Sequence, residues 1–148
     1  MPFRNVVVGT DGSTTAEKAV RSAADLAADH DARLVVVTAY EPQGDALATD
    51  EAAPADLRWR LTNRSQAEDL ARRGVGLARD GGVTSVSVQA IAGSAADVLL
   101  EAAVDLGADC IVVGSRGLTS HAHFVLGSVA SSVAHHAPCD VLIVHTTG

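Results

Sequence analysis

The chain predicts an α/β fold, a doubly wound parallel sheet of five strands flanked by four helices, and two observations carry that expectation. Short β-branched runs alternate with longer stretches of helical spacing along all 148 residues. The runs are continuously apolar rather than alternating with polar residues, the pattern of strands covered by helices on both faces. Strands that alternate with helices pair in parallel through right-handed crossovers.

The elements follow in order. Asn5 to Gly9, NVVVG, is the first strand. Thr14 opens a helix, with Glu17 three residues on completing a capping box. Ala16, Ala19, Val20, Ala23, Ala24 and Ala27 then fall on one small-residue face. Arg33 to Ala39, RLVVVTA, is the second strand. The segment YEPQGDALATDEAAPAD, rich in acids, Pro and Ala, reads as an unusually long loop. A helix from about Leu57 to Arg79 is closed by Gly81 and Gly82, and Ser85 to Ile91 is the third strand. Ser94 and Asp97 form a second capping box ahead of Val98, Leu99, Ala102, Ala103 and Leu106. Cys110 to Val113 is the fourth strand, Ser128 to about His136 the fourth helix, and Val141 to His145 the fifth strand. Pro138 stands where that helix must already have stopped.

The length suits one domain over residues 1–148, with no internal repeat. Only four residues are aromatic, so Ala, Val, Leu and Ile must build the core. A net charge of −7 and the absence of a basic face argue against nucleic-acid binding. Arg58, Arg60, Arg64, Arg72, Arg73 and Arg79 are interleaved with acids and read as a solvated face. No apolar run approaches the roughly 20 residues of a membrane span. The N-terminus has no basic stretch followed by an apolar one, so a cytoplasmic location is expected. Cys110 and Cys139 begin two strands and read as a buried reduced pair, with a redox switch as the alternative.

In open sheets of this kind, ligands bind outside the carboxyl ends of the strands where the strand order reverses. If the first three strands spread one way and the last two the other, strands one and four are neighbours there. Strand one ends in GTDGS, Gly9 to Ser13, and strand four in GSRG, Gly114 to Gly117. Glycine permits close backbone approach to a bulky anion. Gly127 and Ser128 stand at the start of the fourth helix, whose free N–H groups and dipole favour negative charge. Ser128 adds a hydroxyl, Arg116 a cation able to reach a phosphate, and Asp11 a carboxylate suited to ribose hydroxyls. Together these parts describe a nucleotide cradle. Each also has a plainer reading: glycines that serve a turn, Ser128 as a helix cap, Asp11 as a turn residue.

The chain contains neither G-x-x-x-x-G-K-[ST] nor G-x-G-x-x-G, which disfavours a P-loop enzyme and a dinucleotide dehydrogenase. Dedicated catalysis has little support. His121 and His123 would have to serve as base or metal pair, whereas a His-x-His pair in a loop is more often simply solvated. Slow hydrolysis of a bound nucleotide is the most that is expected. A ligand-free interaction module would have lost the glycine pattern, which is intact.

Gly114, two residues, Gly117, nine residues, then Gly127-Ser128 resembles the ATP-binding signature of the universal stress protein family. The resemblance covers essentially the whole chain, through VVVGTDGS, the capped Ala-rich helix, GADCIVVGSRG and APCDVLIVH. It implies a Rossmann-like, flavodoxin-like sheet in order 3-2-1-4-5. It also implies a homodimer formed by pairing the last strands, here Val141 to His145. The family's site residues carry over to Gly9, Thr10 and Asp11 after strand one, with Asp11 on ribose, and to Ala39 near adenine. Gly114, Arg116, Gly117, Gly127, Ser128 and Val129 then hold the phosphates, with Val113 beside them in the nucleotide site and Mg²⁺ accompanying ATP. The tail DVLIVHTT, with AYEPQ after strand two, also resembles an actinobacterial branch that prefers cyclic AMP. The glycine pattern suits either ligand, and a regulatory role in the stress response follows from both.

Overall fold

Which side of the sheet each strand residue meets is decided by the two-residue period of the strand. The computed structural model describes residues 3–11, 14–40, 64–115 and 128–145. In chain order the elements are β1 (Asn5–Gly9), α1 (Thr14–His30), β2 (Arg33–Tyr40), α2 (Arg64–Asp80), β3 (Val86–Ala92), α3 (Ala95–Leu106), β4 (Cys110–Gly114), α4 (Ser128–His136) and β5 (Asp140–Val144). All pairings are parallel and the strand order is β3-β2-β1-β4-β5. The expected doubly wound sheet with its 3-2-1-4-5 order is therefore present. Strand ends differ from the expected ones by a residue at most. Residues 57–63 of the expected second helix lie outside the described residues.

Val6, Val8, Leu34, Val36, Cys110 and Val112 face one layer, against Ala19, Val20, Ala23, Ala24 and Ala27 of α1 and Ala78 of α2. Val7, Val35, Val37, Ile111 and Val113 face the other, against Val98, Leu99, Ala102 and Ala103 of α3 and Ala130 and Val133 of α4. The central strands are buried on both faces, as their unbroken apolar runs require. Alanine faces on the helices leave the bulk to strand valines, so few aromatics are needed.

Local chemistry sets the helix ends. Ser94 caps α3, its Oγ accepting a hydrogen bond from the Asp97 N–H at 3.4 Å. At the other end the Ala108 N–H donates to the Ala103 carbonyl at 2.9 Å, closing the last turn. The arginine face of α2 is solvated and laced with exposed pairs: Arg64 with Glu68 at 3.0 Å, Arg72 with Asp69 at 2.9 Å. Each such pair stabilises by only a few tenths of a kcal/mol, about 0.3–0.5 in helices. Cys110 and Cys139 pack into opposite layers, and both thiols are free. Burial pushes the Cys110 thiol up to about 11, so it is protonated at neutral pH and a poor nucleophile.

The acid ahead of β4 has a structural use. The Asp109 carboxylate accepts hydrogen bonds from the Arg4 N–H at 2.7 Å and the Asn5 N–H at 2.9 Å, while its own N–H donates to the Asn5 carbonyl at 2.8 Å. These contacts pin the start of β1 to the start of β4. The N–H groups of Asn5, then Arg4, hold the carboxyl below its ordinary value of 3.8. A lowered folded value means stability that is present above the unfolded pKa and lost as pH falls through the folded one. Asp109→Ala should therefore cost about 1 kcal/mol at pH 7, the low end for charge-assisted bonds because the group is partly solvated. The gap to the parent chain should close as the pH drops below about 4. Urea denaturation from pH 7 down to pH 2 measures both, and a gap that does not narrow at all over that range would show the carboxylate is not its source.

Candidate functional site

All five strands point their carboxyl ends the same way, and the two halves of the sheet diverge there between β1 and β4. The chain leaves β1 through α1 toward β2 and β3 over one face. It returns through α3 to β4, then through α4 to β5, over the other. β1 and β4 are paired up to Val8 and Val112. The next residues on each, Gly9-Thr10-Asp11 and Val113-Gly114-Ser115, therefore stand at one crevice, the usual ligand position in such sheets.

Each expected residue has a definite place. A Cβ on Gly9 would lie 3.0 and 3.1 Å from the two methyls of Leu99, so this glycine makes room for α3. That packing role was not separable, from sequence, from a role in ligand approach. The Thr10 N–H donates to the Val37 carbonyl at 3.0 Å, extending the β1–β2 ladder and holding exposed Asp11 at the mouth. Ala39 is half-buried against the α3 layer, and the Tyr40 carbonyl beyond it accepts from the Gly93 N–H at 2.9 Å. Val113 is buried in the same layer. Past half-buried Gly114, the Ser115 N–H donates to the Val144 carbonyl at 2.8 Å, which ties the turn after β4 to β5.

Ser128 is exposed at the first position of α4, and Val129 packs toward the α3 layer. The first turns of α4 and α2 carry no acid, whereas α1 has Glu17 and α3 has Asp97 there. Arg116, Gly117, Gly127, His121 and His123 lie outside the described residues. Among the described residues no cluster of three His, Cys, Asp or Glu could hold a metal. No helix among them is long and apolar enough to cross a membrane.

One buried polar group escaped the sequence reading. Thr38 on β2 is 2% exposed and its hydroxyl has no hydrogen-bond partner among the described residues. The only signal was a lone hydroxyl residue ending the run LVVVT, which β-propensity alone accommodates. An unpartnered buried hydroxyl costs about 1–3 kcal/mol. Thr38→Val keeps the shape and removes the cost, so the variant should melt about 2–4 °C higher for each kcal/mol recovered. A thermal melt that falls instead would show that the hydroxyl is engaged.

The chain matches the sequence model of the Universal stress protein family over residues 2–145. A universal stress protein of Mycobacterium tuberculosis, strain H37Rv, is 38% identical over 146 residues, 98% of each chain. A putative universal stress protein of Staphylococcus haemolyticus is 33% identical, over 99% of this chain and 87% of its own length. Among solved structures, a universal stress protein in complex with cAMP is 34% identical, covers 99% of this chain and all of its own, and superposes with a TM-score of 0.75.

Proposed function

The chain belongs to the universal stress protein family, and we propose that it is a nucleotide-binding regulatory protein that holds an adenine nucleotide in the crevice between the ends of β1 and β4. The observation that carries this reading is the meeting, at the switch point, of Asp11 and Gly114 beside a sheet whose following helix has an exposed serine and no acid in its first turn.

In this reading Asp11 accepts from the ribose hydroxyls and the backbone near Ala39 meets adenine. Phosphate oxygens take N–H groups from Gly114 and from Ser128 and Val129 at the start of α4, with Gly9 and Thr10 shaping the floor beside Val113. Arg116, Gly117 and Gly127 complete the phosphate contacts. The full glycine spacing favours ATP, and any Mg²⁺ would enter with its phosphates. Cyclic AMP is the second reading, favoured by the relative crystallised with that ligand. Its single phosphate asks less of Ser128. No catalytic step is assigned: binding is the activity, and partners read the occupied state. β5 ends the described sheet with the apolar run VLIV and Leu142 is 39% exposed, which supports a homodimer joined through this edge as the regulatory unit.

Calorimetric titration of nucleotide-stripped protein with Mg-ATP and, separately, with cyclic AMP tests the reading. Tighter binding of ATP makes the β4–α4 region a triphosphate site. Tighter binding of cyclic AMP makes the protein a sensor or buffer of a cyclic nucleotide. Heat from neither would overturn the proposal.

A further inference from the structure

The far edge of the sheet has a form that the nucleotide site does not use. β3 pairs with β2 over seven consecutive residues, Leu34–Val86 to Tyr40–Ala92, with no bulge. Among the described residues it has no second neighbour. Its sequence, VSVQAIA, contains no charge and no proline, and Val88 is 37% exposed. Exposed edges are normally protected from pairing by charged residues, prolines or bulges, and β3 has none of these. A groove of about 440 Å³ runs between this strand and α2, lined by Val86 and Val88 below and by Arg72, Gly76 and Arg79 above.

Gly76 is informative. Among the described residues a Cβ there would meet nothing within 4 Å, so neither packing nor space among them asks for glycine. A glycine inside a helix costs about 1 kcal/mol relative to alanine. Positions 72, 76 and 79 share one helix face, so the bare glycine is flanked by two guanidinium groups. Arg79 makes no ion pair among the described residues. Arg72 holds Asp69 and Glu68 only through exposed pairs, which another carboxylate can replace at little cost.

We propose that the β3 edge with the Arg72–Gly76–Arg79 face of α2 is a docking site for an extended acidic segment of a partner protein, which adds to the sheet as a sixth strand. Free backbone groups of β3 supply the ladder, as in β-strand addition generally. Side chains of the added strand alternate, so those on the α2 side recur every two residues. An apolar residue seats over Gly76, and acids two residues before and after it reach Arg72 and Arg79. Those arginines lie about 10 Å apart along the helix axis, and residues four apart on a strand about 13 Å, a difference that flexible arginines absorb. A second copy of this chain fits poorly. Twofold pairing of β3 with itself would set α2 beside α2 on one face and oppose the arginines.

The probe is a fluorescein-labelled peptide, Thr-Glu-Thr-Val-Thr-Glu-Thr, whose pattern reads the same in either strand direction, with Lys replacing both Glu as its counterpart. Titrated with the full chain, the acidic peptide should bind saturably and at least about 10-fold tighter than the basic one. It should slow amide exchange in Val86–Ala92 and leave Asp140–Val144 unchanged. Arg79→Glu and Gly76→Leu should each weaken it by at least about 5-fold, with melting temperature recorded to confirm folding. Arg79 is exposed, so its variant tests the site even if Gly76→Leu disturbs α2. Equal affinity for the two peptides, unchanged exchange in β3, or indifference to Arg79→Glu would overturn the proposal. Slowed exchange in β3 on concentrating the protein alone would also overturn it, by giving the edge to a second copy.

Discussion

Ser128→Asp is expected to lower the affinity for Mg-ATP by about 100-fold, with melting temperature unchanged or slightly raised. The helix and the ligand compete for the same feature. The first turn of α4 carries no acid, and in the proposed site its N–H groups meet the ligand's phosphates. An aspartate there satisfies those groups itself and complements the helix dipole, which stabilises by about 0.3–1 kcal/mol. It also sets a carboxylate against the phosphates, and a 100-fold loss corresponds to about 2.7 kcal/mol of repulsion and lost contacts. Cyclic AMP, with one phosphate charge, should lose only about 10-fold. Calorimetry with both ligands and a thermal melt separate the outcomes. Unchanged affinity for both would remove α4 from the site, and a marked fall in melting temperature would mean the substitution had damaged the helix instead.

Gly74→Val should destabilise the fold by about 2–3 kcal/mol, a fall of roughly 5–12 °C in melting temperature. Gly74 is buried in α2, and a Cβ there would lie 2.7 Å from Cγ1 of Val36, closer than real contacts allow. Val36 cannot yield easily: it is fully buried on a central strand, and a β-branched side chain has little rotameric freedom. The gain in helix propensity over glycine, about half a kcal/mol for valine, is too small to offset the clash. Two residues along, Gly76→Ala meets open space and should instead stabilise by about 1 kcal/mol. Opposite signs from two glycines in one helix, read by urea denaturation, are the test. A neutral Gly74→Val would mean α2 can lift off β2 without cost.

Those two glycines show where the amino-acid sequence stops being informative. RGVG reads the same at both positions: a helix former's poor choice, twice. Only the distance to β2 separates a glycine required by a close approach from one that nothing among the described residues explains. Gly9 gives the same lesson at the crevice. Its place after a strand, ahead of Asp11, suits a ligand, yet the atoms nearest its missing Cβ belong to Leu99 of α3. The positions of Asp11, Gly114 and Ser128 in the fold were legible because each sits by the end of an element whose limits are local: a β-branched run stops, a helix begins. Thr38 was not, because its burial depends on what covers that face of β2.

The nine elements of the described chain were determined by the sequence by itself, since the two-residue strand period and the 3.6-residue helix period are properties of neighbours along the backbone. The capping of α3 by Ser94 and the solvated arginine face of α2 belong to the same local class. Residue patterns allowed β1 and β4 to be neighbours, and likeness to a known family supplied the full strand order. What only the tertiary structure decided were the clearances and the unmet needs: Leu99 against Gly9, Val36 against Gly74, the unpartnered Thr38 hydroxyl and the open β3 edge beside Arg79. The reason is physical. Periodicity says which face of an element is apolar, but distances between faces are set by side chains far apart in the chain, and close packing makes a few tenths of an ångström decisive.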